Sequence, residues 1–254
     1  MTMNSINTNA QALIALQSLN TTNAQLSATQ KRVSTGYRVS DAKDDGGAFA
    51  VAQAVRSDVA GVIAVGEQLG GVKGILQTTF ASLSVVSDTM KQVRAVLTRL
   101  ADAAISSDQR ATYEEQYRLL ATQVSSFIDD ASYNGRTLLS TDVAIGGGNI
   151  TAIRNESGGT FTIEAVDGVS LKLTLIAPAS ASAATAFIVS GGAFDTADKA
   201  ISTALNKFGS AMGFVDNQIK YNSQKVDAME TGLGALVDAD LAKESSTLQA
   251  LQVR

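Results

Sequence analysis

Along the last long stretch of the chain, apolar residues recur alternately four and three apart: Ile201, Leu205, Phe208, Met212, Val215, Ile219, Val226, Met229, Leu233 and Leu236, with Asn222 alone breaking the series. A period of about 3.5 residues held this long makes a seam down one side of a helix, and a lone helix would leave that seam in water. The segment must pack against other helices. A second series of strict seven-residue spacing runs Val55, Val62, Leu69, Leu76, Leu83, Met90 and Leu97, and none of its members is polar. A companion stripe three residues on holds Val65, Val72, Val86, Val93 and Leu100, interrupted by Asp58 and Thr79. Two seams far apart in sequence predict a mainly α fold, a long antiparallel coiled-coil-like helical rod whose packing residues are these two series. Asn222 is read as the polar residue that fixes helix register at some cost in stability.

Composition removes most chemistry from the chain. Cysteine is absent, so there is no disulfide and no thiolate. Histidine is absent too, which takes away the usual general base near neutral pH and the commonest nitrogen ligand for transition metals. No catalytic, cofactor-binding or metal-ligating residue is assigned, and no cofactor is expected. The net charge of −4, without any basic run, argues against a nucleic-acid surface, which needs clustered cations to displace counterions. No Lys or Arg precedes Lys31, so a cleaved secretory signal is not expected. No run approaches the ~18 consecutive apolar residues that span a bilayer, and membrane insertion is not expected.

Local signals divide the sequence. Residues 4–33 read as a helix with Ile6, Leu13, Leu16, Leu19, Leu26 and Val33 on one narrow stripe. A polar stretch, 34–47, carries Gly36, Asp41, Asp44, Asp45, Gly46 and Gly47 and breaks that helix from the next. Residues 48–101 read as one long helix despite Gly61, Gly66, Gly70, Gly71 and Gly74, each costing about 1 kcal/mol against alanine. Val72, after the Gly66 and Gly71 pair, stands where a phosphate-binding loop needs lysine. A third helix is predicted over 108–131, then a turn at Tyr133-Asn134-Gly135. Phe161, Ile163 and Ala165, then Val169, Leu171, Leu173 and Leu175, alternate across Asp167-Gly168 as a β-hairpin does. Residues 177–193 read as a small-residue loop, and the final helix starts near Asp195 with an interruption at Asp238-Ala239-Asp240.

Several of these stretches resemble bacterial flagellins. Ile6-Asn7-Thr8-Asn9 with Ala12-Leu13 and Leu16 is similar to that family's opening I-N-T-N-x-x-A-L. Arg32-Val33-Ser34-Thr35-Gly36, continuing through Arg38 and Asp41 to Asp44-Asp45, resembles its R-[LI]-[SN]-[ST]-G motif and the acidic run that follows. Tyr133-Asn134-Gly135 before Leu138-Leu139 resembles F-N-G-x-x-L-L, and Asp238-Ala239-Asp240 through Glu244-Ser245 resembles D-A-D-x-A-x-E-S. The resemblance covers roughly residues 1–140 and 195–254 and implies a minimal member without a large outer variable domain. The family usually continues past the point corresponding to Arg254, so a shortened C-terminus is expected.

The resemblance implies three parts: an inner layer of terminal helices from 1–40 with 240–254, a helical rod from 41–136 with 194–239, and a small β-hairpin and loop region at 137–193. Carried over, Ile6, Leu13, Leu16, Leu19, Leu26, Val33, Leu241, Leu248 and Leu251 become subunit contacts of the inner layer. It further implies a structural, non-enzymatic subunit of the flagellar filament that self-assembles helically for motility. Its partners would be other copies of itself, the flagellar export apparatus, an export chaperone, and hook-associated and cap proteins. Its place would be outside the cell, reached without a cleaved signal peptide. A hook-filament junction protein and a flagellin-like surface binding protein are the alternatives. Paired acids such as Glu114-Glu115 and Asp129-Asp130 are the only material for an enzyme, and adjacent helical positions diverge too far to flank one substrate bond.

Overall fold

A computed structural model describes residues 9–173 and 176–253. The chain is mainly helical: α1 (Ala10–Thr35), α2 (Gly46–Leu100), α3 (Ser107–Asp129), β1 (Ile150–Ile153), β2 (Thr160–Ile163), α4 (Ala181–Ile188), α5 (Ala193–Val237) and α6 (Leu241–Gln252). Local side chains set the ends. Asn9 caps α1 by accepting from the backbone N–H groups of Gln11 and Ala12, and Gly36, with φ of 74°, closes it in the left-handed conformation. Ser106 and Gln109 form a reciprocal capping box at the start of α3. Asp240 accepts from Ala242 and Lys243 to start α6 after the acidic interruption.

Two compact units emerge, one of residues 1–61 with 224–254, the other of residues 62–223. In the second, Val62, Leu69, Leu76, Leu83, Met90 and Leu97 of α2 are all buried, as are Ile201, Phe208 and Val215 of α5. Leu205, Met212 and Ile219 are half-buried and pack against the edge of the same core, so the two apolar rows of α5 are buried to different depths. Ala197, Ala204 and Ala211 are buried beside that row. Tyr117, Val124 and Ile128 of α3 complete the core, and burial pushes the Tyr117 hydroxyl up to about 12. In the first unit Val39, Ala52 and Val237 make a small core with Leu233 and Leu236 packed on it, while Val55, Val226 and Met229 are half-buried.

The α2 glycines differ in kind. A Cβ at Gly74 would sit 2.9 Å from Tyr133 Cζ, whereas at Gly70 and Gly71 it would meet nothing within 4 Å. Gly74 makes room for a tyrosine ring, held by the turn at Asn134-Gly135 where both residues have positive φ. Gly74→Ala is expected to cost about 1 kcal/mol or more as the ring is displaced. Gly70→Ala and Gly71→Ala are expected to gain up to about 1 kcal/mol each from helix propensity. Urea unfolding of the three single variants checks the contrast.

Three expectations need correction. The hairpin pairs β1 with β2, Ile150 opposite Ile163, and turns at residues 154–159 rather than at Asp167-Gly168. There Gly158 takes φ of 80° and Asn155 Oδ1 accepts from Gly159 N at 2.6 Å. Gly168 instead starts a 3-10 turn over Gly168–Leu171 capped by Asp167, because its missing Cβ lets it lie against the carbonyl oxygen of Leu139. Leu171 and Leu173 are buried outside any strand, and Leu175 lies outside the described residues. The expected loop at 177–193 contains α4, an alanine-rich helix capped by Ser180. Although no run of 18 consecutive apolar residues occurs, α2 contains an 18-residue window of mean hydropathy 1.5, long and apolar enough to cross a membrane by length and composition alone. Only 17% of that window is buried, so the chain's own core leaves most of it uncovered.

Asn222 acts differently from the expected register residue. It is 3% exposed, and its Nδ2 donates to the Arg154 carbonyl at 3.2 Å while its Oδ1 accepts from Gln218 Nε2 at 3.0 Å. Gln218 donates to the same carbonyl at 3.1 Å. With Phe214 stacked on Phe161 at 4.1 Å and Lys207 paired with Glu164 at 3.0 Å, one face of α5 holds the hairpin along its length.

Candidate subunit interface

The chain's two end helices meet in the first unit, α6 lying antiparallel on the later half of α1. Leu26 and Val33 of α1 and Leu248 and Leu251 of α6 are half-buried, and Leu241 is exposed. Thr29, not singled out by its sequence, is buried in α1. Arg32 Nη1 donates to Glu244 Oε1 at 3.3 Å, the Glu244 side chain being only 15% exposed. The first half of α1 has no such cover: Leu13, Ile14, Leu16 and Leu19 are 61%, 66%, 54% and 57% exposed. Ile6 lies outside the described residues.

The linkers beside these helices are stitched together by backbone. Tyr37 bridges Asp238 in antiparallel fashion, Arg38 N and Val39 N donate to the Val237 carbonyl at 2.7 and 3.2 Å, and Ala239 N donates to the Gly36 carbonyl at 2.9 Å. The Arg38 guanidinium adds a bond to the Leu236 carbonyl at 2.6 Å. Thus the motif around Arg32–Arg38 and the motif around Asp238–Glu244, remote in sequence, form one structure. Neither partner announces the other in the sequence; the signal was only that both motifs are rich in charged residues with no chemistry to perform.

A second polar cluster fastens α1 to its own linker. Lys31 Nζ donates to Asp41 Oδ2 and Asp44 Oδ2, each at 2.8 Å. Asp44 also accepts from the backbone N–H and hydroxyl of Ser40. The Lys31 hydrogen bond, followed by the Lys43 N–H, holds the Asp41 carboxyl below its usual 3.8. Lys31, then the Ser40 donors, hold Asp44 well below that value. The two carboxylates in turn raise Lys31 above 10.5. Carboxyls lowered in the folded state stabilise it above pH 3.8 and lose this as pH falls through their folded values. A lysine raised in the folded state stabilises below 10.5 and loses this as pH rises through its folded value. The cluster is therefore expected to hold between pH 3.8 and 10.5, and to open only as pH falls through carboxyl values below 3.8 or rises through a Lys31 value above 10.5. Amide resonances of residues 31–45 followed through a pH titration check this, and Asp44→Asn should weaken the acid transition.

Long amphipathic helices that leave a row of leucines in water at one end define a protein built to associate through helix faces, and among the described residues no group of His, Cys, Asp and Glu is placed to hold a metal ion. Comparison narrows that class. The sequence profile of the bacterial flagellin N-terminal helical region matches residues 6–144. A flagellin of Brucella melitensis is 33% identical over 99% of this chain and 92% of its own length. The flagellin FljM of Caulobacter vibrioides is 31% identical over the whole chain and 92% of its own length. The chain belongs to the flagellin family and is a structural subunit of the bacterial flagellar filament. Among solved structures, Bacillus cereus flagellin is similar in fold, with a TM-score of 0.55 at 23% identity, covering 61% of this chain and 88% of that one. A putative flagellar hook-associated protein from Vibrio parahaemolyticus gives 0.61 at 13% identity, over 77% of this chain and 100% of that one.

Proposed function

We propose that the chain polymerises through the open half of α1, with Leu13, Leu16 and Leu19 meeting the same helices of neighbouring copies in an inner layer drawn from residues 1–40 and 240–254. The carrying observation is the exposure of these leucines on a well-formed helix, since a row of large apolar side chains is left in water at a free-energy cost that association removes. Leu26, Val33, Leu248 and Leu251 support the layer by pairing α1 with α6, Leu241 belongs to the same proposed set of contacts, and the expected contact Ile6 lies outside the described residues. The thinly covered window of α2 contributes further contact between copies. Heterologous contacts that do not close produce the open helical array a filament requires. Residues 41–136 with 194–239 form the helical rod, and 137–193 its small β-hairpin and loop region.

In the same reading the chain is exported unfolded by the flagellar apparatus with a chaperone's help, leaves the cell without a cleaved signal peptide, and assembles between hook-associated and cap proteins. No catalytic role and no cofactor enter. Family membership and the net charge support this reading. Negative-stain microscopy of the purified chain, alone and with short flagellar seeds, tests it. Filaments or extended seeds are expected; a chain that neither polymerises nor extends seeds, where another flagellin does, overturns it.

A further inference from the structure

The covered residues of α1 and α6 recur at seven-residue spacing, Leu26 and Val33 with Thr22 and Thr29 on α1, Glu244 and Leu251 with Leu248 on α6, and the exposed Leu19 and Leu241 continue the same series. Sliding one helix along the other by a heptad returns apolar to apolar, so this stripe does not choose its own register. Charge does. Lys31 and Arg32 are the only charged residues of α1, and Lys243 and Glu244 the only ones of α6. Lys31 is already held by Asp41 and Asp44, which leaves Arg32 and Glu244 as the pair these helices can make. Gln25, a heptad before Arg32, and Leu251, a heptad after Glu244, line one groove, so groove and ion pair report the same antiparallel register. A slip of one heptad toward the start of α1 would put Glu244 beside Gln25 and Leu251 beside Ser18, leaving both charges unpaired and α6 over Leu19. We infer that the Arg32–Glu244 pair sets the register of α6 on α1 and thereby decides which leucines stay open for assembly. Arg32 and Glu244 are positioning residues for polymerisation. The second half of this statement rests on the proposed function; the first does not.

The stitched linkers also restrain α6, and the test separates the two. The full chain has no cysteine, so introduced pairs are its only thiols. Gln25→Cys with Leu251→Cys reports the observed register, and Ser18→Cys with Leu251→Cys the slipped one. A Gly-Ser insertion after Ala239, long enough to span one heptad of about 10 Å, frees the tether. With the insertion alone, oxidation should still favour the 25–251 disulfide. Adding Arg32→Glu should shift the ratio toward 18–251 by about tenfold, as attraction becomes repulsion, and adding Glu244→Arg to that should restore it. Circular dichroism confirms that α6 remains helical. The inference is overturned if the insertion alone loses the preference, because the tether then sets register, or if Arg32→Glu keeps it, because the stripe does. Pelleting of the same chains without cysteines reads assembly. Should the parent chain fail to polymerise while the disulfide ratios behave as stated, the proposed function falls and the register role stands.

Discussion

Leu16→Glu with Leu19→Glu is expected to abolish filaments while leaving the monomer folded. Both side chains are more than half exposed, and glutamate is a good helix former. The monomer should therefore lose no more than about 1 kcal/mol. In a filament each leucine gains up to roughly 1.5–3 kcal/mol by leaving water, and removing two raises the critical concentration about a hundredfold or more. Placing carboxylates in the contact adds their desolvation cost. Sedimentation of polymer across a concentration series gives the readout, with thermal melting as the control for folding. Leu16→Ile, which keeps the apolar surface, should assemble within a few-fold of the parent. If the double glutamate variant sediments normally, the exposed row of α1 is not the contact.

What the sequence disclosed and what it hid follow from the range of the forces involved. The α2 heptads were readable because every member from Val62 to Leu97 is large, apolar and buried, and a period needs no partner to be seen. On α5 the same rule found the seam but not its centre, since Ala197, Ala204 and Ala211 carry too little apolar surface to register. The hairpin was placed one strand late. Val169, Leu171 and Leu173 alternate as a strand does, but Gly168 packs against Leu139 and turns that stretch into a 3-10 segment. The glycine's reason lies thirty residues away. Asn222 read as an interruption in a seam and proved to be a hydrogen-bond clamp on a carbonyl that no pattern connects to it. Arg32 and Glu244, at opposite ends of the chain, pair through tertiary structure alone. Periodic burial is written locally; polar contacts between distant segments are not.

Phe208→Ala tests whether the buried row of α5 organises the larger core. Phe208 is fully buried among the α2 and α3 side chains of its cluster, between Ile201 and Val215 on the same row. Truncation removes the transfer free energy of the ring and leaves a cavity that rigid helices close poorly, so a loss of about 3–5 kcal/mol is expected. Leu205→Ala, on the half-buried row one turn earlier, removes three aliphatic carbons from a site that water already reaches, and about 1 kcal/mol is expected. Against a domain stability of roughly 5–15 kcal/mol, the first change halves the margin and the second is minor. Urea unfolding followed by circular dichroism at 222 nm reads the difference. Equal losses at the two positions would mean that α5 packs through both rows alike, and the assignment of the core to the row of Ile201, Phe208 and Val215 would have to be given up.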